Sequence, residues 1–324
     1  MNSSFLSTLN DLNESQRLEL LEKDFSSQEL INLLEELLAL DPKIKTDFEL
    51  YDCCGTGGDK ANTFNISTTT AICAAATGTK ICKNGGRSSS SKTGSIDVLE
   101  ALGLKLDKSL EAKLTELENY NLSFHNSTLI AQTLAPLKNL ARKNKLSSFL
   151  SLLGPFTNPF LLEGQIIGVG KKAWFTKMQG LARHCIKQGY VKKIALLQSY
   201  TDDGQVFDEL TSLHKAKIQL IGLEEIELEF KPEDFGLGQG RLENLHGCDN
   251  HQDNAKVINK ILSNTAEIEK IETVLINHAL LASLKKLKTD NFQELINTEF
   301  RRGQEVLTNL IAQKNWQQFI DNQV

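Results

Sequence analysis

Between residues 49 and 103 the chain repeats one pattern: a short apolar run, a loop crowded with glycines or hydroxyls, and a helix-like stretch. "LYDCCGTGGD" reads as a strand breaking into a glycine turn, and "ISTTTAICAAATG" as a buried helix of small side chains ending at Gly78. "KICKNGG" is a second strand running into a loop, and "SIDVLEALG" a helix closed by Gly103. Strand, glycine loop and helix in alternation predict an α/β fold with a central, mostly parallel sheet and functional loops at the C-terminal ends of its strands.

Downstream, "QIIGVG" (165–170) and "KKIALLQS" (192–199) flank a helix near 173–188, and "KIQLIGLEEIELEF" (217–230) alternates like a strand pair. Residues 253–266, 270–287 and 291–314 read as helices. Ahead of the repeat, 14–22 and 27–40 carry apolar positions at helical spacing, with Ser26 or Ser27 as N-cap and Pro42 as the stop. The division expected is a small helical domain over 1–46, joined by helices from about 130–155, and an α/β domain over 47–324.

The 324 residues are 40% hydrophobic and 24% charged, ordinary values for a chain with a sizeable core. A net charge of -5 gives no global attraction to nucleic acid or acidic membranes. No uncharged apolar run approaches the ~18–20 residues of a membrane span, and the polar N-terminal stretch lacks a secretory apolar region. The six cysteines show no disulfide-framework spacing, so reduced thiols and a cytoplasmic location are expected.

Three loops carry the functional signal. "GTGGD" (Gly55 to Asp59) lets backbone N–H groups approach an anion closely, and Asp59 can accept from ligand hydroxyls or help hold a metal. "NTFNISTTT" (Asn62 to Thr70) leads its hydroxyls and amides into a helix N-terminus, more polar groups than one cap needs. "KNGGRSSSSKTGS" (Lys83 to Ser95) sets Lys83, Arg87 and Lys92 among glycines and serines, between a buried strand and a buried helix where a linker has no place. Neither a Walker loop nor a GxGxxG with a distal acid is present. Together the loops point to a ligand with several phosphates and sugar hydroxyls.

With "TFNIST", "SSKTGSIDVLEALG", "LLGPFTNP" (152–159) and "EDFGL" (233–237) in the same order, the chain resembles the anthranilate phosphoribosyltransferases over about residues 50 to 262. The resemblance implies a glycosyltransferase of tryptophan biosynthesis with a nucleoside phosphorylase/phosphoribosyltransferase-like fold, a helical domain hinged to the α/β domain, and a homodimer. It implies 5-phosphoribosyl 1-diphosphate, anthranilate and Mg²⁺ as substrates and metal. By that likeness Gly55, Gly58, Asp59, Thr63, Asn65, Ile66, Ser67, Thr68, Lys83, Asn84, Gly85, Gly86, Arg87, Ser88, Ser89, Ser90, Ser91, Ser95 and Ser147 surround the substrates. Lys83, Arg87, Asp208 and Glu209 take the catalytic positions. Ser67, Asp208 and Glu209 (in "VFDELTS") take the metal, with Asp202 and Asp203 of "SYTDDGQ" as the alternative ligands.

The departures cluster at the acceptor. Where the family reads K-H-G-N-R, this chain reads Lys83-Asn84-Gly85-Gly86-Arg87; the family's anthranilate-binding arginine falls on Ser147 and a tunnel histidine on Ala131. Arg142 is near in sequence but more than one helical turn from Ser147, and Lys143 or Lys145 stand as substitutes. Two other readings therefore stand beside anthranilate transfer: a different aromatic amine or nitrogen heterocycle as acceptor, and a non-catalytic donor-binding protein. "HGCDNH" (246–251) has no common zinc spacing.

Overall fold

The computed structural model describes residues 5–86, 94–126 and 128–323. Helices α1 (Phe5–Thr8), α2 (Glu14–Glu22) and α3 (Ser27–Leu40) come first. Ser26 caps α3: its hydroxyl accepts from the Glu29 N–H, and Glu29 accepts in return from the Ser26 N–H. The glycine-loop repeat then supplies β1 (Tyr51–Gly55), α4 (Ile66–Ala76), β2 (Ile81–Asn84) and α5 (Ser95–Ala101). Next are α6 (Leu110–Tyr120), β3 (Leu122–His125), α7 (Thr128–Lys143), α8 (Phe149–Leu153), β4 (Leu162–Gly168) and α9 (Phe175–Lys187). β5 (Val191–Tyr200), β6 (Val206–Phe207), β7 (Lys215–Ile221) and β8 (Glu225–Phe230) complete the sheet, and α10 (His251–Leu262), α11 (Ile268–Ser283), α12 (Phe292–Thr308) and α13 (Ile311–Asp321) end the chain.

The strands form one sheet in the order β3-β2-β1-β4-β5-β7-β8, with β6 paired to β5. β3 through β5 run parallel along that order, while β7 and β8 are antiparallel. Side-chain alternation sends the strand residues to two cores. Cys53, Ile81, Ile166 and Leu197 pack with α4 and α10 to α13 on one face. Cys54, Cys82, Ile167 and Leu196 pack on the other with α3, α7, α8 and α9, so the N-terminal helices share an apolar cluster with those of 128–153. Burial on both faces explains why these strands read as near-continuous apolar runs.

The strand-pair reading of 217–230 matches β7 and β8. The single helix expected over 291–314 is instead two, because Leu310 takes a left-handed backbone (φ 58°) that breaks the hydrogen-bond ladder. The sequence reading assigned no element to α6 or β3. Among the described residues no helix is long and apolar enough to cross a membrane.

Candidate active site

A cleft of about 660 Å³ opens at the C-terminal ends of β1 and β2. Strand order reverses between β1 and β4, and open α/β sheets bind ligands at such a switch point. β1 and β4 both end on glycine: a Cβ on Gly55 would collide with the Asp208 carboxylate, and one on Gly168 with the Asp208 carbonyl oxygen. The turn after β6 therefore lies directly over two bare strand ends.

That turn carries the carboxylates. Gly57 N–H donates to Asp208 Oδ2 at 2.6 Å, and Asp208 N–H to Asp59 Oδ2 at 3.4 Å. Ser199 Oγ donates to the Glu209 carbonyl at 2.7 Å, while Asn277 accepts from Leu210 N–H at 3.2 Å and donates to its carbonyl at 2.8 Å. Asp208 and Glu209 are both buried, and both line the cleft with Asp59. Burial, then the charges of Asp59 and Glu209, raise the Asp208 pKa well above the carboxylate range against the opposing Gly57 N–H. Burial also raises Glu209, opposed by the Lys83 ammonium and the Ser67 hydroxyl. Such an oxygen set, short of positive charge, suits a hard cation. Among the described residues no group of three His, Cys, Asp or Glu holds a metal by itself; a Mg²⁺ that draws oxygens from phosphate and water needs only one or two carboxylates. Asp202 and Asp203 are exposed in the β5–β6 turn, where Thr201 bonds Asp203, and neither lines the cleft.

Thr63, Asn65, Ile66, Ser67 and Thr68 line the cleft at the start of α4. Asn65 occupies the N-cap position without making a side-chain cap. Its Oδ1 and the Thr68 Oγ1 are buried with no hydrogen-bond partner. Unpaired buried oxygens at the start of a helix are costly unless a ligand engages them.

The end of β2 is held from beneath. Lys83, 3% exposed, donates to the Cys53 carbonyl at 3.0 Å. Buried Asp52 accepts from Asn84 N–H (3.1 Å), Asn158 Nδ2 (3.0 Å) and Gln165 Nε2 (3.3 Å), and burial pushes its carboxyl up to about 6 despite Lys83 nearby. Asn84 directs its amide nitrogen to the Gly154 carbonyl (3.0 Å) and Thr157 Oγ1 (3.1 Å). Gly85 and Gly86 line the cleft, and Ser95 Oγ ties back to the Gly86 carbonyl at 3.3 Å. Arg87, Ser88, Ser89, Ser90 and Ser91 lie outside the described residues. The Asp52 bracket escaped the sequence reading because its partners stand 32, 106 and 113 residues away.

Opposite the loops stand α7 and α8, contributing Ile130, Lys138, Ala141, Arg142, Leu150 and Ser151. Ser147 is absent from the lining and abuts Gly58, where a Cβ would meet its Oγ at 3.0 Å. Ala131 is also off the lining, Lys143 pairs with Glu14 at 3.3 Å, and Lys145 is exposed. The sequence reading considered Arg142 and missed Lys138. Its signal was positional, since it continues the spacing of Ile130 and Leu134 on the buried side of α7.

Residues 47–309 match the model of the glycosyl transferase family, a/b domain. An anthranilate phosphoribosyltransferase of Dictyoglomus turgidum is 31% identical over 271 residues, 82% of this chain and 78% of that protein. This chain belongs to the anthranilate phosphoribosyltransferase family. A Nostoc anthranilate phosphoribosyltransferase is 34% identical over 265 residues, covering 80% of this chain and 70% of its own length. The bifunctional protein TrpGD of Thermotoga maritima is 36% identical over 227 residues, 70% of this chain but only 37% of that longer protein. The crystal structure of the Thermus thermophilus anthranilate phosphoribosyltransferase shares the fold, with a TM-score of 0.77 at 23% identity over 98% of this chain and 92% of the other. As a member of the anthranilate phosphoribosyltransferase family the chain is a transferase of the pentosyl class.

Proposed function

We propose that this chain transfers the 5-phosphoribosyl group of 5-phosphoribosyl 1-diphosphate to anthranilate, releasing diphosphate, in tryptophan biosynthesis, with Mg²⁺ as its metal. The observation that carries the reading is the convergence on one cleft of the unpartnered Asn65 Oδ1 and Thr68 Oγ1, buried Lys83, and the Asp208–Glu209 carboxylates. The relatives' names support it, as does a fold neighbour from Saccharomyces cerevisiae solved in complex with PRPP and Mg (TM-score 0.75, 22% identity, 98% of this chain and 83% of that one).

The glycine loops offer N–H donors to phosphate oxygens, and Asp59 and Asn65 offer acceptors to ribose hydroxyls. Ser67, Asp208 and Glu209 would hold Mg²⁺, which neutralises charge on the leaving diphosphate. The bond from ribose C1 to the diphosphate oxygen breaks with its electron pair on oxygen, the amine lone pair closes on C1, and the amine then loses one proton. An aromatic amine is already neutral near pH 7, so positioning and fixed charge such as Lys83 carry the rate. Residues Arg87, Ser88, Ser89, Ser90 and Ser91 are assigned to the donor on the family likeness alone. So are the homodimer, the cytoplasmic location and the hinged helical domain of 1–46 with 130–155.

Ser147 and Ala131 lie off the cleft lining, which favours a second reading in which the acceptor is another aromatic amine or nitrogen heterocycle. The test is anthranilate consumption, followed by fluorescence with donor and Mg²⁺, against a Glu209→Ala control. Turnover lost in the control is expected. Absent turnover with donor binding intact by calorimetry overturns anthranilate and sends the question to an acceptor screen; silence on every acceptor there supports a donor-binding protein.

A further inference from the structure

Lys138 lies midway along α7 and faces the cleft. It makes no hydrogen bond or ion pair with any described residue. Arg142, one turn further on the same helix, lines the cleft beside it. Burial, then the Arg142 charge, lowers the Lys138 pKa, and no acid acts on it in the other direction. A half-buried ammonium without a counter-ion is costly unless an anion arrives. The acids of the cleft belong to the loops and the turn after β6, namely Asp59, Asp208 and Glu209, whereas the side that carries Lys138 has no acid and adds Ile130, Ala141, Leu150 and Pro155 beside the hydroxyls of Ser148 and Ser151. A planar ring against such a wall, with a carboxylate turned to the ammonium, satisfies both features.

We propose that Lys138 is the acceptor-specificity residue of this chain, binding the carboxylate of an aromatic amino acid-type acceptor such as 2-aminobenzoate against the α7–α8 wall. The proposal rests on the phosphoribosyl-transfer reading above and deepens it. Lys138 does the work of recognition from the helix, at a position the family resemblance did not single out, while Ser147 lies against Gly58 and off the cleft lining. Neutralising Lys138 removes a buried, uncompensated charge, so the variant should fold.

The test is 2-aminobenzoate binding by fluorescence titration and, separately, its KM, in wild type, Lys138→Met and Lys138→Arg, with 2-aminobenzamide as the neutral analogue. A charge-assisted contact predicts that Lys138→Met weakens 2-aminobenzoate by ~10–100-fold. Lys138→Arg should restore much of that loss, 2-aminobenzamide should be indifferent to the substitution, and KM for the phosphoribosyl donor should not move. Unchanged 2-aminobenzoate affinity in Lys138→Met overturns the proposal, as does a defect confined to the donor, or a wild type that binds no 2-aminobenzoate. Binding through Lys138 without turnover sustains the proposal and instead refutes the transfer reaction.

Discussion

The backbone of Asp208 crosses the end of β4 so closely that Gly168 leaves no room for a methyl group beneath the Asp208 carbonyl oxygen. The obstacle is main chain, which cannot rotate aside as a side chain could. Gly168→Ala should therefore displace the turn that carries Asp208 and Glu209, at a cost of about 1–3 kcal/mol from overpacking. Urea unfolding measures the stability change and calorimetry the donor affinity. Both should fall, and a variant normal in both would show that the turn is not seated on the strand end.

Metal binding should depend on pH in a defined direction. The folded state raises the pKa of Asp208 and Glu209, chiefly by burial. Folding thus favours their protonated forms, a contribution present below the unfolded carboxylate pKa of about 4 and lost as pH rises through the raised values. Mg²⁺ binds the charged forms and offsets that loss. The increase in Tm produced by Mg²⁺ should grow between pH 5 and 8 (toward about 3 kcal/mol of stabilisation at ~100-fold excess over Kd) and shrink in Glu209→Gln. A shift independent of pH would remove these carboxylates from the metal site.

Lys83 is fixed by the Cys53 carbonyl and counters the charge of Glu209 and Asp52. Lys83→Met should weaken the phosphoribosyl donor by ~10–100-fold, the range of a lost charge-assisted contact. It should also push the Glu209 titration further upward. Donor titration at fixed Mg²⁺ reads the first effect, and equal affinity in both proteins would assign Lys83 to structure alone.

Acid stability should depend on His278. Its ring is buried on α11 against Gly303 of α12, and burial followed by the Arg302 charge holds its pKa down to about 4. The unfolded chain takes up the proton first, near pH 6.5, so this contribution is present above that value and lost as pH falls toward 4. The loss amounts to about 3 kcal/mol at full effect. Denaturation at pH 7.5 and 4.5 should show a smaller difference in His278→Leu than in wild type. Equal differences would mean that the acid sensitivity resides elsewhere.

What could be read from the sequence was local. The "GTGGD" and "NTFNISTTT" loops, the Ser26 cap and the paired strands of 217–230 are each written in adjacent residues. The kink at Leu310 was not, because a leucine with a positive φ carries no compositional mark. Asp52 looked like one polar residue in a strand until the sheet brought Asn158 and Gln165 to it. Counting along the chain put Ser147 where an acceptor contact was expected, but Ser147 lies in the connection between α7 and α8 and off the cleft lining, whereas Lys138 and Arg142 of α7 line it.

The two sides of the cleft rest on different supports. One is anchored in strand ends whose neighbours are fixed by hydrogen bonds across the sheet; the other is a helical face that meets the strands only through side chains. A substitution on the first disturbs the whole frame, whereas one on the second exchanges a single contact. On the phosphoribosyl-transfer reading, a single replacement on α7 should therefore change the acceptor while leaving the frame of the donor site in place.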